Sequence, residues 1–271
     1  MDLIDLHCHI LAGLDDGAPD CAASVEMARL AAAEGTIVLA CTPHFMPGVY
    51  DTALAAARRA MADLAERLRQ EDIFIDLVMG GDLHATPHLA ARLKRGEVPT
   101  LGGSRYLLLE PPHDVLPPRF EELTFELIQA GYAPILTHPE RLKWIESRYG
   151  VIRRLAEAGV LMQLTSGSVI GRFGGRPQYW SERMLDEGFV DFLATDAHNV
   201  DRRPPDLARG RDRIAALFGE DLALDLVLRN PRWVLENRSP DDIRPRSVHG
   251  EVPNMAGNGE RGGRRHPFWP F

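Results

Sequence analysis

Asp5-Leu6-His7-Cys8-His9, at residues 5–9, closes a short alternating run that starts at Asp2. In an extended chain side chains alternate between faces, so His7 and His9 point the same way and can hold one cation together. Neutral imidazole suits zinc, iron or manganese. Cys8 points to the opposite face, where packing is its expected task. Asp15-Asp16-Gly17 follows in the loop and offers a carboxylate at short range, although the pair alone would read as an ordinary turn. An apolar strand that ends on such residues is how a parallel β/α barrel builds its site, because active sites there lie at the C-terminal ends of the strands.

Further strands end in the same way. β-rich apolar runs at 3–6, 36–41, 73–79, 106–109, 133–137, 160–164 and 190–195 alternate with helical patterns, the mark of β/α units. The second leads to His44 and the third to Asp82-Leu83-His84, where Asp82 and His84 share a face. The fourth leads to Glu110, the fifth to His138-Pro139-Glu140-Arg141 and the seventh to Asp196-Ala197-His198-Asn199. Each signal is weak alone, but six strand ends each supplying a His or a carboxylate form a pattern that chance does not explain.

Helices are expected at 20–34, stopped by Gly35, and after the second strand. There Leu54, Ala57, Met61, Leu64 and Leu68 form one apolar stripe, and Asp51 or Thr52 is placed to cap its start. Others are expected at 118–130, 148–158, 179–187, 206–218 and 220–229. Seven β/α units within 271 residues point to one α/β domain over 1–244, as a closed or nearly closed barrel; a doubly wound sheet shares the same periodicity. Residues 245–271, rich in Gly, Arg, Pro and Asn, read as a disordered tail.

A net charge of −8 disfavours nucleic acid as a partner. It does not exclude an anionic substrate, because a metal cluster reverses the local potential. No apolar run approaches the roughly 18 residues of a membrane span, and no signal-peptide pattern is visible. Three cysteines argue for a reducing compartment, so a cytoplasmic location is expected, with no membrane insertion.

The candidate donors outnumber the roughly four to six that one ion takes, so more than one cation is expected. Paired metals clamp the attacking and leaving oxygens of a phosphoryl displacement and activate water, so no protein nucleophile is needed. Consistent with that, the residues six positions after Cys8, Cys21 and Cys41 are Leu14, Met27 and Pro47, not the arginine of a cysteine-dependent phosphatase loop. Neither a P-loop nor a Gly-x-Ser-x-Gly elbow occurs. Arg141, Arg172, Arg176 and Arg203 lie close after strand ends, and guanidinium reads phosphate bidentately.

Residues 4–17, Ala40-Cys41-Thr42-Pro43-His44, Thr137-His138-Pro139-Glu140-Arg141, 166–174 and Thr195-Asp196-Ala197-His198-Asn199, with Arg203 beyond, together resemble the polymerase-and-histidinol-phosphatase (PHP) superfamily. More narrowly they resemble the bacterial manganese-dependent protein tyrosine phosphatases of capsule and exopolysaccharide operons. The resemblance implies a distorted, TIM-like (β/α)7 barrel of PHP type holding two or three divalent ions, usually Mn2+, with Fe or Zn as alternatives. It implies His7, His9, Asp16, His44, Glu110, His138, Asp196 and His198 as ligands, with Glu110 bridging. Glu110, Arg141 and Arg203 become the catalytic set, and Arg141, Arg203 and Arg172 the substrate-binding set. The third strand of that family ends in Gly-x-Glu, whereas this chain has Gly80-Gly81-Asp82. Asp82 is kept as a ligand, one methylene shorter, with His84 as a substitute. The implied partner is a phosphotyrosine tail, that of a bacterial tyrosine kinase controlling polysaccharide export; an oligomer is compatible.

Three other readings share much of this pattern. A small-molecule phosphatase, such as a histidinol phosphatase, would use the same barrel and metals. A non-catalytic metal-binding regulatory module would be expected to have lost Arg141 and Arg203. A metal-dependent amidohydrolase also opens on His-x-His, but lacks the Glu110 and Asp196/His198 pattern.

Overall fold

The strands run in parallel around a ring, and the side chains that line its inside change from apolar to polar along each one. In this computed structural model, which describes residues 1–243, the strands are β1 (Leu3–Cys8), β2 (Thr36–Cys41), β3 (His44–Phe45), β4 (Asp76–Met79), β5 (Asp82–His84), β6 (Tyr106–Glu110), β7 (Ala133–Thr137), β8 (Leu161–Thr165) and β9 (Phe192–Ala194). They pair in the orders β1-β2-β4 and β3-β5-β6-β7-β8-β9, parallel throughout.

These two sheets are one ring of seven staves. β2 continues into β3, and β4 into β5. Across both breaks the ladder persists, with Thr42 N–H donating to Cys8 O at 3.0 Å, Gly80 N–H to Cys41 O at 2.9 Å and Asp82 N–H to Pro43 O at 3.1 Å. The ring closes between β9 and β1. Cys8 bridges Ala197 in parallel, Asp196 N–H donates to His7 O at 2.8 Å, and His9 N–H donates to Ala197 O at 2.9 Å. The α/β barrel is therefore closed, not doubly wound. The breaks have local causes: Pro43 brings no N–H to the ladder. At Gly80 and Gly81 a Cβ would stand 2.8 Å from the Leu101 side chain and 2.7 Å from the Phe45 ring respectively.

On β6, Tyr106 and Leu108 lie in an inner apolar cluster and Glu110 follows on the same face. Phe192 then Asp196, and Leu161 then Gln163, repeat the pattern. Ala133, Ile135 and Val234 complete the apolar part. Val234 comes from the helix Asn230–Leu235, which closes the far mouth. There Tyr106 Oη donates to Arg238 O at 2.8 Å, and Asn237 Oδ1 accepts the Arg105 N–H at 2.9 Å. The alternate strand residues Leu107, Leu109, Leu136, Met162, Leu164 and Leu193 join the outer cluster under the helices.

Most expected helices are present with shifted ends. Cys21–Ala33 is capped by Asp20, whose carboxylate accepts the Ala23 N–H at 2.9 Å. Leu54–Gln70 buries Ala57, Leu64 and Leu68 as expected, but neither Asp51 nor Thr52 caps it. Ala53 holds the cap position, and Asp51 is used by the preceding turn, accepting the Gly48 N–H at 2.8 Å. The helices expected from 148 and 179 start earlier, at Ile145 and Gly175. The third expected strand is shorter, starting at Asp76. The stretch 220–229 ends in a π-turn, Asp225–Arg229, that runs on into Asn230–Leu235. The expected tail lies outside the described residues. Among the described residues no helix is long and apolar enough to cross a membrane.

Candidate metal centre

At the C-terminal end of the ring, nine sequence-selected residues converge: His7, His9, Asp16, His44, Asp82, Glu110, His138, Asp196 and His198. They form overlapping groups whose donor atoms lie within 4.8 Å of one another, among them His9/Asp16/His44/His198, His7/His9/Asp82, His7/His138/Asp196 and His44/Asp82/Glu110. All are buried except Asp16, whose side chain is half exposed at the mouth. His138 and Asp196 sit just past β7 and β9 with φ of 36° and 51°. Non-glycine residues seldom adopt this region, at a cost of order 1–3 kcal/mol, and it clusters at functional sites. Here it turns two strand ends so that their side chains enter the cavity.

Outer partners fix three of the imidazoles. His7 Nδ1 lies 2.8 Å from Gln163 Oε1, His9 Nδ1 2.7 Å from Asp15 Oδ2, and His198 Nδ1 2.9 Å from the Asp196 carbonyl. Each acceptor oxygen assigns the proton to Nδ1, which leaves the Nε2 lone pair facing the centre. Asp15 also accepts the backbone N–H of His44 and of Gly17, both at 2.9 Å. It is thus the bracket of the loop rather than a plain turn residue. Gly17 is required there, since a Cβ would stand 2.1 Å from His9 O.

The contacts fall into two classes by distance. The bracing bonds of the histidines measure 2.7–2.9 Å. The inward contacts are longer: His7–His9 at 3.1 Å, His7–Asp196 and His9–Asp196 at 3.4 Å, His7–Asp82 and His44–Asp82 at 3.5 Å, and His44–Asp16 at 3.4 Å. Two donors each about 2.1 Å from one ion, at ordinary coordination angles, lie roughly 3.0–3.4 Å apart. His7–His9 falls inside that spacing, and the carboxylate contacts at 3.4–3.5 Å lie at its upper edge and beyond the length of a good hydrogen bond. Both Asp82 oxygens, Glu110 Oε2, His44 Nδ1 and His138 Nδ1 are buried with no hydrogen-bond partner, an arrangement costly without a cation. The donor set fits divalent metal ions.

Electrostatics agree. Burial opposes ionisation of Asp196, but Arg203, His7 and Arg141 hold its carboxyl well below the usual range. Burial pushes His198 down to about 4 and His138 well below its ordinary value, with Arg141 adding to the latter, so both imidazoles are neutral at pH 7. His9 behaves oppositely: burial resists its charge, yet Asp15 and Asp196 lift it to about 10. A cation arriving there displaces a proton. Behind the site, Asp5 accepts from Thr195 Oγ1, from Thr195 N at 3.1 Å and from His7 N at 3.2 Å, tying β1 to β9. Burial nevertheless pushes its carboxyl up to about 6.

A cavity of about 170 Å³ opens over these residues, lined by Asp16, His44, Glu110, His113, His138, Asp196 and His198 with Arg141 and Arg203. Both guanidinium groups donate to Asp196 Oδ2, and Arg141 lies 4.8 Å over the Phe173 ring. Arg172 is not among the lining residues; its fork is engaged by Asp206. Arg176 binds Glu146 and the Leu142 carbonyl. His84 stands at the edge, 3.9 Å from Glu110. Cys8 and Cys41 are buried in apolar surroundings that push their thiols up, which removes thiolate chemistry from the site.

Sequence reading raised Asp15 only as half of a carboxylate pair, without its place behind His9, and gave no site role to Gln163, Phe173 or His113. Gln163 carried a usable signal, a lone amide within Leu161-Met162-Gln163-Leu164; His113 had none beyond its closeness to Glu110.

A family profile described as capsular polysaccharide synthesis, CpsB/CapC, matches residues 3–236. The tyrosine-protein phosphatase YwqE of Bacillus subtilis is 34% identical over 253 residues, covering 92% of this chain and 99% of that protein. The tyrosine-protein phosphatase CpsB of Streptococcus agalactiae is 25% identical over 244 residues, covering 87% and 99%. Among solved structures, one described as YwqE from Bacillus subtilis and CpsB from Streptococcus pneumoniae, unique metal-dependent tyrosine phosphatases, superposes with a TM-score of 0.84 at 35% identity, covering 88% of this chain and 96% of that one.

Proposed function

Because this chain belongs to the CpsB/CapC family of capsular polysaccharide synthesis, we propose that it is a metal-dependent tyrosine phosphatase, hydrolysing phosphotyrosine on a protein. The observation that carries the reading is the set of inward contacts at 3.1–3.5 Å among His7, His9, His44, Asp82 and Asp196, together with Asp82 and Glu110 oxygens buried without a hydrogen-bond partner. His7, His9, Asp16, His44, Asp82, Glu110, His138, Asp196 and His198 are the ligands we assign, for two or three ions, with manganese as the first choice. Divalent ions in such a site supply Lewis acidity toward the phosphoryl oxygens and activation of water.

The chain's own residues do the rest. Arg141 and Arg203 flank the cavity and present guanidinium donors where a phosphate enters; Phe173 stacks on Arg141 and limits its freedom. Asp196 holds both guanidinium groups through Oδ2 while its Oδ1 faces His7 and His9 at 3.4 Å, so one carboxylate would orient the arginines and offer its other oxygen to a cation. Glu110 shares a donor group with His44 and Asp82 and stands 3.6 Å from His138, which supports reading it as a carboxylate that would bridge two ions. The cavity is small and open at Asp16, which suits an aryl phosphate on a flexible tail. The substrate we assign is such a tail on a bacterial tyrosine kinase governing polysaccharide export.

The test is phosphate release by manganese-loaded protein from a phosphotyrosine peptide, a phosphoserine peptide and histidinol phosphate. Clear preference for phosphotyrosine is the expected result. Preference for histidinol phosphate would keep the metal centre and discard the tyrosine substrate.

A further inference from the structure

Beside the main cluster, Glu110, His113 and His138 make a group of their own, with donor atoms within 4.8 Å of one another. His113 Nε2 stands 3.2 Å from Glu110 Oε1, and His138 Nε2 stands 3.6 Å from the same oxygen. The two rings tilt at 52° with centroids 4.9 Å apart. The 3.2 Å contact is at the long end of the hydrogen-bond range and the 3.6 Å contact beyond it, and the first also falls within the spacing of co-ligands. His138 is 2% exposed and its Nδ1 has no partner; Glu110 Oε2 has none either.

His113 belongs to a loop built to hold it still. Pro111 and Pro112 precede it and restrict the backbone. The Trp144 indole N–H donates to Pro112 O at 3.0 Å, and the Lys143 N–H donates to His113 O at 2.8 Å. A loop histidine would ordinarily turn its ring to water, but the His113 side chain is only 33% exposed and faces Glu110. Such bracing costs conformational freedom that a surface residue does not need to give up.

We propose that His113 is a metal ligand, completing with Glu110 and His138 a position for a divalent transition-metal ion on the mouth side of the cavity. Two imidazoles and a carboxylate suit manganese, iron or zinc, and three protein ligands leave positions open toward the entering phosphate. This rests on the metal-centre reading above but goes further, since the ligand set assigned there does not contain His113. The bland alternative is that His113 merely hydrogen-bonds Glu110.

The experiment titrates metal-free full-length chain with Mn2+ alone, reading bound ions per chain and their affinities, for the unaltered protein, His113→Ala and His113→Gln. Gln keeps a hydrogen-bonding group of similar reach but is a poor ligand for these ions. Both variants should lose one Mn2+ per chain, or bind it more weakly by at least the roughly 10–100-fold that loss of an outer partner causes, with the remaining ions unaffected. Unchanged binding in His113→Ala, or full binding in His113→Gln with loss only in His113→Ala, overturns the assignment while leaving the metal centre standing. An unaltered chain that takes up no Mn2+ at all overturns both.

Discussion

The two ends of this barrel are made from the same strands and obey opposite rules. At the far mouth, Tyr106, Leu108, Ile135, Leu161, Phe192 and Val234 pack without polar interruption, and the polar Tyr106 Oη and Asn237 Oδ1 are paired. At the near mouth, two to four residues further along the same strands, donors crowd together and several buried atoms have no partner. Left-handed backbone at His138 and Asp196 adds strain. One end is built for burial, worth roughly 25 cal/mol per Å² of apolar surface, and the other for a bound cation. The lesson is that the apolar floor supports a rim that would not hold together on its own terms.

Breaking the rim's chemistry should have the largest effect. A chelator should lower phosphotyrosine hydrolysis on the order of 10³-fold or more, with recovery on adding Mn2+ and a far-ultraviolet spectrum that barely changes. Activity that persists in chelator would remove the metal mechanism. Next comes the floor: Phe192→Ala should cost about 3–5 kcal/mol in denaturant unfolding, while Mn2+ stoichiometry per folded chain stays the same. Loss of metal without loss of stability would show the two ends to be less separate than drawn.

Smaller effects sharpen the boundary. Gln163→Leu removes the acceptor behind His7 and should weaken metal binding roughly 10–100-fold, with stability little changed; calorimetric Mn2+ titration would reveal an unaffected affinity if the bracing is idle. Arg203→Ala removes a charge-assisted donor worth about 1.5–3 kcal/mol and should raise KM for phosphopeptide with metal content unaltered. Unchanged kinetics would take Arg203 out of the phosphate site. Cys8→Ser should leave kcat essentially unaltered, because that thiol faces the outer core; a dead enzyme with full metal content would contradict this.

Much of the rim was legible because each donor is tied to the end of a recognisable strand, and the nine expected residues do converge. Two kinds of feature were not legible. Braces cross the fold: Gln163 lies 156 positions from His7, and Thr195 lies 190 from the Asp5 it binds. No local pattern pairs such residues. Competition between partners is equally hidden, as with Arg172, which follows a strand end as Arg141 does but finds Asp206 within reach. The cap expected at Asp51 or Thr52 failed for the same reason, since the preceding turn engages Asp51.

What the amino-acid sequence by itself determined was the period of the strands, the chemistry of the residues at their ends, and the exclusion of a cysteine nucleophile. All of these depend on covalent spacing and residue type alone. Ring closure through Cys8 and Ala197, the tautomers set by Gln163 and Asp15, the lining of the cavity by Arg141 and Arg203 without Arg172, and the place of His113 were decided only by the tertiary structure. They depend on distances between ends of different strands, and those distances exist only once the seven staves have closed and their inner side chains have packed.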